Sequence, residues 1–305
     1  MTVQTFSPEA IKYVYSPEHE PIGSVDPGER FAVVCEDCFT GRFRDAAEFN
    51  PASAAWVDEH LNGLTGPIHV RGAQAGGAVE VTIESVEILS PGCVVVSRCE
   101  ARSPADWWHE EDHAVNLPIA GGLLVLGDGW TVPVAPLIGC LGVAPARETI
   151  LSRHEGSFGG NLDCREIAAG ATVTLPVGIP GASLYFGDCK AALGDGEVVA
   201  APEVAARIVA STKPVGRPAS MTAPRVRTDD TLTTIVSGIS LADAARAAFA
   251  ALKHWLEDEW QLSSDEAAIV MGIGAHCGVG QVSNRLHTAK CSIALALLPD
   301  TERRM

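Results

Sequence analysis

Paired chain-breakers cut the first two thirds of this sequence into short lengths. Pro27-Gly28, Gly76-Gly77, Pro91-Gly92, Gly121-Gly122, Gly159-Gly160 and Pro180-Gly181 recur among 30 glycines and 19 prolines. Proline removes a backbone donor and glycine weakens the interior of an element, so long helices do not run through such pairs. Between them lie apolar runs of strand length, at residues 31–35, 68–70, 79–88, 94–99, 173–177 and 183–186. Val79-Glu80-Val81-Thr82-Ile83-Glu84 alternates as a half-buried strand does. The pattern predicts a sandwich or barrel-like β body over about residues 1–210.

Helical periodicity gathers near the C-terminus. Ser240 is a candidate cap for a helix to about Leu262, with Asp243 three residues on. Leu241, Ala244, Ala248, Leu252, Trp255 and Leu256 form one largely apolar stripe, which reads as a core-packing face. Ser263 with Glu266 is a second capping box, opening a short helix to about Gly272. Strands at 278–283 and 290–298 are expected to close the chain. Residues 203–210 fit helix or strand. Residues 211–230, with Pro214, Pro218, Pro224 and four basic side chains, read as a linker. The expected fold class is α+β, mainly β. It forms a single unit over 1–305, with helices and closing strands at 231–305.

Charge narrows the partners. With 22 Lys and Arg against 38 Asp and Glu, the net charge is −16. A surface this acidic repels phosphate backbones and anionic lipid, so nucleic acid and membrane are not expected. The start, MTVQTFSPEAIKY, lacks the basic and apolar regions of a secretion signal. The longest apolar runs, 117–126 and 132–145, fall short of the ~20 residues of a membrane span. Nine scattered cysteines, an odd number, suggest reduced thiols and a cytoplasmic location.

Four Gly-containing segments place acidic or amide groups, or a close backbone approach, where chemistry could occur: 36–41, 139–145, 159–164 and 187–197. Glycine allows close approach of the backbone, and a carboxylate on such a loop can be aimed at a cation or a water. His109 and His113 have zinc-binding spacing if helical, but read as an exposed polar loop. His69, His154, His276 and His287 have no independent support. Cys164 or Cys189, with Lys190 and Glu197, supplies the residue types of a thiol-dependent amide-cleaving site. Cys189 and Lys190 are adjacent, so on a strand they would face opposite sides.

Taken in order, these segments resemble the acetamidase/formamidase family. Tyr15-Ser16-Pro17 and Pro27-Gly28-Glu29 are followed by Glu36-Asp37-Cys38-Phe39-Thr40-Gly41, similar to the family's T-L-D-C-F-G-G. Thr65-Gly66-Pro67-Ile68, Arg71-Gly72-Ala73 and the run from Val132 to Pro145 match next, the last resembling I-P-x-x-P-M-I-G-x-I-G-V-A-P. Gly159-Gly160-Asn161-Leu162-Asp163 and Pro180-Gly181-Ala182 follow. The family's G-D-x-H-A-x-x-G-D-G-E is present at 187–197 with Lys190 in place of histidine, and Phe158 precedes the Gly-Gly-Asn motif where His or Tyr is usual.

The resemblance implies hydrolysis of a small amide by a homo-oligomer, expected as a dimer, with a divalent metal (Zn or Ca) put in question by Lys190. It implies metal or Lys190 ligation by Asp37, Asp163 and Glu197, with Asp195 or Glu197 as base for water. Asn161 would donate to the carbonyl oxygen or the cluster, while Phe158, Asp37 and Gly160 would contact the substrate. An ammonium has donors and no acceptor, so Lys190 cannot itself ligate a metal. The alternative is a repurposed or non-catalytic small-molecule binder in which Lys190 occupies the metal's place.

Overall fold

In a computed structural model of the protein, residues 3–299 are described apart from 9, 97–111 and 199. Among these, two nine-stranded sheets dominate. The first runs Gln4–Phe6, Arg30–Cys35, Ala206–Val215, Ala78–Ile88, Thr172–Pro176, Arg225–Arg227, Thr231–Gly238, His287–Ala294 and Ala275–Gln281, antiparallel except for its first pair. The second runs Glu155–Gly156, Gly159–Asn161, Leu137–Val143, Leu184–Lys190, Glu203–Val204, Gly92–Val96 and His113–Leu117. In it, Leu64–Val70 also pairs with Leu184–Lys190, and Gly23–Val25 lies parallel to Leu64–Val70. A small sheet of Ile119–Ala120, Leu123–Gly127 and Trp130–Pro133 stands apart.

The two large sheets face each other across one core. Phe31, Val33, Val81, Ile83 and Ile208 from the first are buried with Ile68, Ile138, Leu141, Leu184 and Phe186 from the second. Phe31 and Phe186 meet edge to face, with centroids 6.2 Å apart. The β body is therefore a sandwich, and the alternating stretch 79–84 buries Val79, Val81 and Ile83 as its pattern requires.

Three helices add to it. α1 (Pro51–His60) was not anticipated, because PASAAWVDEH carries no clear apolar stripe. α2 (Leu241–Trp260) begins at Ser240, whose side chain accepts from the Asp243 N–H. α3 (Ser264–Gly274) has the Ser263/Glu266 capping box. α2 and α3 bury Leu252, Trp255, Leu256 and Met271 against Leu232, Cys291 and Ile293, forming a second core on the far end of the first sheet.

The linker expected at 211–230 is not one. Residues 211–215 complete the strand Ala206–Val215, and Arg225–Arg227 is another strand of the same sheet. Pro214 is tolerated because pairing with Arg30–Cys35 ends at Ser211, leaving that flank without a ladder to interrupt. Arg225, taken as linker charge, is buried with its guanidinium over the Trp255 ring. The closing strands begin three residues earlier than expected, at Ala275 and His287. No helix among the described residues is long and apolar enough to cross a membrane.

Candidate active site

The Gly-rich segments, scattered along the sequence, become neighbours in the second sheet. Leu137–Val143 lies between Gly159–Asn161 and Leu184–Lys190, pairing Cys140 with Asn161 on one side and Leu137 with Lys190 on the other. On the far side of that strand, Lys190 pairs with Glu203. Gly139 is essential to this arrangement. A Cβ there would lie 2.5 Å from Asp188 Oδ2 and 2.6 Å from Asp163 Oδ1, so only glycine lets the two carboxylates close over the strand.

Four carboxylates converge on Lys190. Its Nζ lies 2.9 Å from Asp188, 3.0 Å from Asp163, 3.2 Å from Glu203 and 3.6 Å from Glu197. Three of the four carboxylates sit on left-handed backbone: Asp163 at φ +46°, Asp188 at +53° and Glu197 at +42°. Such conformations are strained for residues other than glycine and collect at functional sites.

One ammonium cannot neutralise four carboxylates, and the site's proton affinities show it. Burial, then repulsion from Asp163, pushes the Glu197 carboxyl up to about 8, although Lys190 pulls the other way. Burial likewise raises Asp188 and, more strongly, Glu203, again against the pull of Lys190. Burial works against the charge on Lys190, but Asp163, Asp188, Glu203 and Glu197 together hold its ammonium well above the ordinary lysine range.

Amides and a hydroxyl surround the charged cluster. Asn62 Nδ2 donates to Asp188 Oδ2 (3.2 Å), and the Cys140 thiol donates to Asn161 Oδ1 (3.2 Å). The turn after Ala275–Gln281 contributes two more donors: Ser283 Oγ to Glu197 Oε2 at 2.9 Å, and Asn284 Nδ2 to Asp163 Oδ2 at 3.2 Å. Backbone bonds from Gly196 N to Gly280 O (2.8 Å) and from Val282 N to Gly196 O (2.9 Å) tie the Glu197 loop to that turn. Glu197 also lines a cavity of about 510 Å³.

Of the residues expected at the site, Asp163, Lys190 and Glu197 come together, with Asn161 behind Cys140. Asp37 does not join them. Its Oδ1 accepts from the Phe39 and Gly41 N–H groups, at 2.9 and 3.0 Å, so it caps the turn that carries Cys38. Asp195 turns instead to Lys290, at 2.6 Å. Phe158 packs edge to face on Tyr15, at 5.1 Å, in the sandwich core. Gly160 is needed for fit, since a Cβ would run into the His154 carbonyl oxygen. Cys189 faces away from Lys190, toward Cys35, and burial raises the Cys164 thiol well above its ordinary range, so neither offers a ready thiolate. His109 lies outside the described residues.

Cys38, Asp188 and Glu203 bring donor atoms within 4.8 Å of one another, a grouping that could hold a metal ion. Two of these three are already in contact with the Lys190 ammonium. Burial also holds the Cys38 thiol well above its ordinary range, so an ion would have to displace its proton. With Lys190 in place, the donor set does not fit a divalent ion.

Residue-by-residue reading missed Glu203, Asn62, Ser283 and Asn284. Glu203 carried a usable signal, an acid inside the largely apolar APEVAARIVA, whose other charge is Arg207. The other three are brought in by strand pairings with no local signature.

No curated protein matches the chain significantly. The model of the Acetamidase/Formamidase family matches residues 142–215, which include Asp163, Asp188, Lys190, Glu197 and Glu203. Among solved structures, an acetamidase from Bacillus halodurans is 30% identical with a TM-score of 0.89, over 96% of this chain and 97% of that one. A predicted acetamidase/formamidase from Thermoanaerobacter tengcongensis is 29% identical with a TM-score of 0.87, over 95% of both chains. An acetamidase from Yersinia enterocolitica, 23% identical, shares the fold with a TM-score of 0.85 over 98% of this chain and 94% of that one. Likeness along nearly the whole chain agrees with the order of motifs and with the convergence of the family-matched strands on Lys190: the protein belongs to the acetamidase/formamidase family.

Proposed function

We propose that this protein hydrolyses the C–N bond of a small amide, with Glu197 moving the protons and Lys190 as the fixed cation of the site. The observation that carries the reading is the position of Glu197. It touches the buried ammonium at 3.6 Å, lines the cavity, and has a carboxyl at about 8. A group with that affinity populates both protonation states near neutral pH, which suits a residue that must take a proton and return it.

In the forward direction the Glu197 carboxylate takes a proton from water as the water oxygen bonds to the amide carbon. The same proton then passes to the leaving nitrogen as the C–N bond breaks, giving a carboxylic acid and ammonia or an amine. Lys190 lowers the proton affinity of Glu197, so that burial and Asp163 do not lock it in the acid form. Ser283, donating to the other oxygen of Glu197, fixes the direction in which the carboxyl points. No step passes through a metal ion, because the residues present do not fit one.

The test is ammonia release from a panel of linear amides by the purified protein and by Glu197→Gln. Turnover should be measurable and should fall by about 10²–10⁴-fold in the variant. Absence of ammonia from every amide would overturn the hydrolase reading, and retained amide binding would then identify a small-molecule binding protein.

A further inference from the structure

The cavity beside Glu197 is far larger than a one- or two-carbon amide requires. It holds about 510 Å³, and its wall is apolar: Leu117, Leu124, Leu126, Val132, Ala192 and Leu193. The small three-stranded sheet supplies one side of that wall, with Leu124 and Leu126 on Leu123–Gly127 and Val132 on Trp130–Pro133, and residues 192–202 supply most of the rest. The carboxyl groups on the wall are Glu197 and Asp195, and Asp195 is drawn to Lys290 and Arg165 at 2.6 and 3.2 Å. Among the described residues, the wall therefore offers the Glu197 carboxyl at one side and mostly hydrocarbon elsewhere.

We infer that the small sheet and the 191–202 loop form an acyl pocket, and that the substrate is a primary amide of a longer aliphatic or arylaliphatic acid rather than formamide or acetamide. This rests on the hydrolase reading of Glu197 and specifies its substrate class. Cavities of roughly 300–1,000 Å³ typically enclose drug-sized ligands. A single methyl group leaves nearly all of this wall uncovered, whereas a chain of several carbons covers it while the amide stays at Glu197. A charge of either sign on the distal end would be buried unpaired against hydrocarbon, so the tail is uncharged. Each buried methylene contributes about fourfold in binding.

Two measurements on the full chain test this: kcat/KM by ammonia release, and saturation-transfer NMR of bound ligand, for acetamide, butyramide, hexanamide and phenylacetamide. From acetamide to hexanamide, kcat/KM should rise by about two orders of magnitude. Ala192→Trp and Val132→Phe fill the pocket from the loop and from the small sheet, and each should lower the hexanamide-to-acetamide ratio by about tenfold or more. A flat series in the wild type, or variants that leave the ratio unchanged, overturns the pocket. The NMR arm separates this from failure of the hydrolase reading. If no amide is cleaved, but the hexanamide tail is saturated in the wild type and not in the variants, the pocket stands and hydrolysis falls. Equal signals for acetamide and hexanamide overturn the pocket whether or not ammonia is released.

Discussion

Lys190 and Lys290 are both buried, with side chains 2% and 5% exposed, and both sit among carboxylates. Lys290 meets two, Glu166 and Asp195, each at 2.6 Å, and these keep 18% and 38% of their side chains in water. Lys190 meets four, of which the most open, Glu197, is 11% exposed. The carboxylates of Lys290 are not among the left-handed residues, whereas three of those around Lys190 are. An ammonium matched by half-solvated partners on relaxed backbone fastens one segment to another. An ammonium outnumbered in a dry space, on backbone held out of its preferred region, keeps proton affinities poised. The first arrangement suits a fastening, the second the reaction site proposed above.

Removing each cation is the sharpest way to break this contrast. Lys190→Met should cost about 3–5 kcal/mol in chemical denaturation, because it strands buried carboxylates, and should abolish ammonia release. Glu197→Gln should lose about 10²–10⁴-fold in turnover while leaving the denaturation midpoint unchanged or higher, since burial already disfavours its charge. A large fall in stability would mean that Glu197 is structural. Lys290→Met should cost only about 1–2 kcal/mol, because Glu166 and Asp195 can turn to water, and should slow turnover through a looser Glu197 loop. If the two lysine variants behave alike, the distinction dissolves.

Glu155 extends the comparison to a buried carboxyl with no lysine beside it. Burial raises it to about 8, against a backbone bond from Leu286 N at 2.9 Å, its own N–H and the charge of Arg285. The native state then holds a proton that the unfolded chain releases above about 4.5. Its contribution to stability is full below that pH and is lost as pH rises toward 8. The decline should be on the order of 1 kcal/mol per pH unit at its steepest, and Glu155→Gln should flatten it in thermal melts across that range.

Much of the fold was legible where a local rule governs. The alternation at 79–84, the Ser240 cap and the Ser263/Glu266 box each specify their element within a few residues. The supposed linker was misread because its prolines and basic residues look like loop chemistry. Only the sheet shows that Pro214 has an unpaired flank and that Arg225 has a tryptophan to cover it.

At the site, the order of the motifs pointed to Asp163, Lys190 and Glu197. Asp188 stands two residues before Lys190 on the same strand, a relation readable in the sequence, whereas Glu203 was hidden and meets Lys190 only through strand register. Asp37 and Asp195 are acidic residues on equally plausible loops, but one is occupied by its own turn and the other by a lysine some hundred residues away. Sequence displays which charges exist, and pairing across a sheet decides which of them meet.

The hairpin that follows α3 holds the Glu197 loop through Gly280, Val282 and Ser283, and reaches Asp163 through Asn284. All four lie some eighty residues or more downstream of what they hold. On the ribosome, the strands around Lys190 therefore emerge and can begin to pair well before their latch has been made. Any capacity to react arrives late, with the docking of the hairpin.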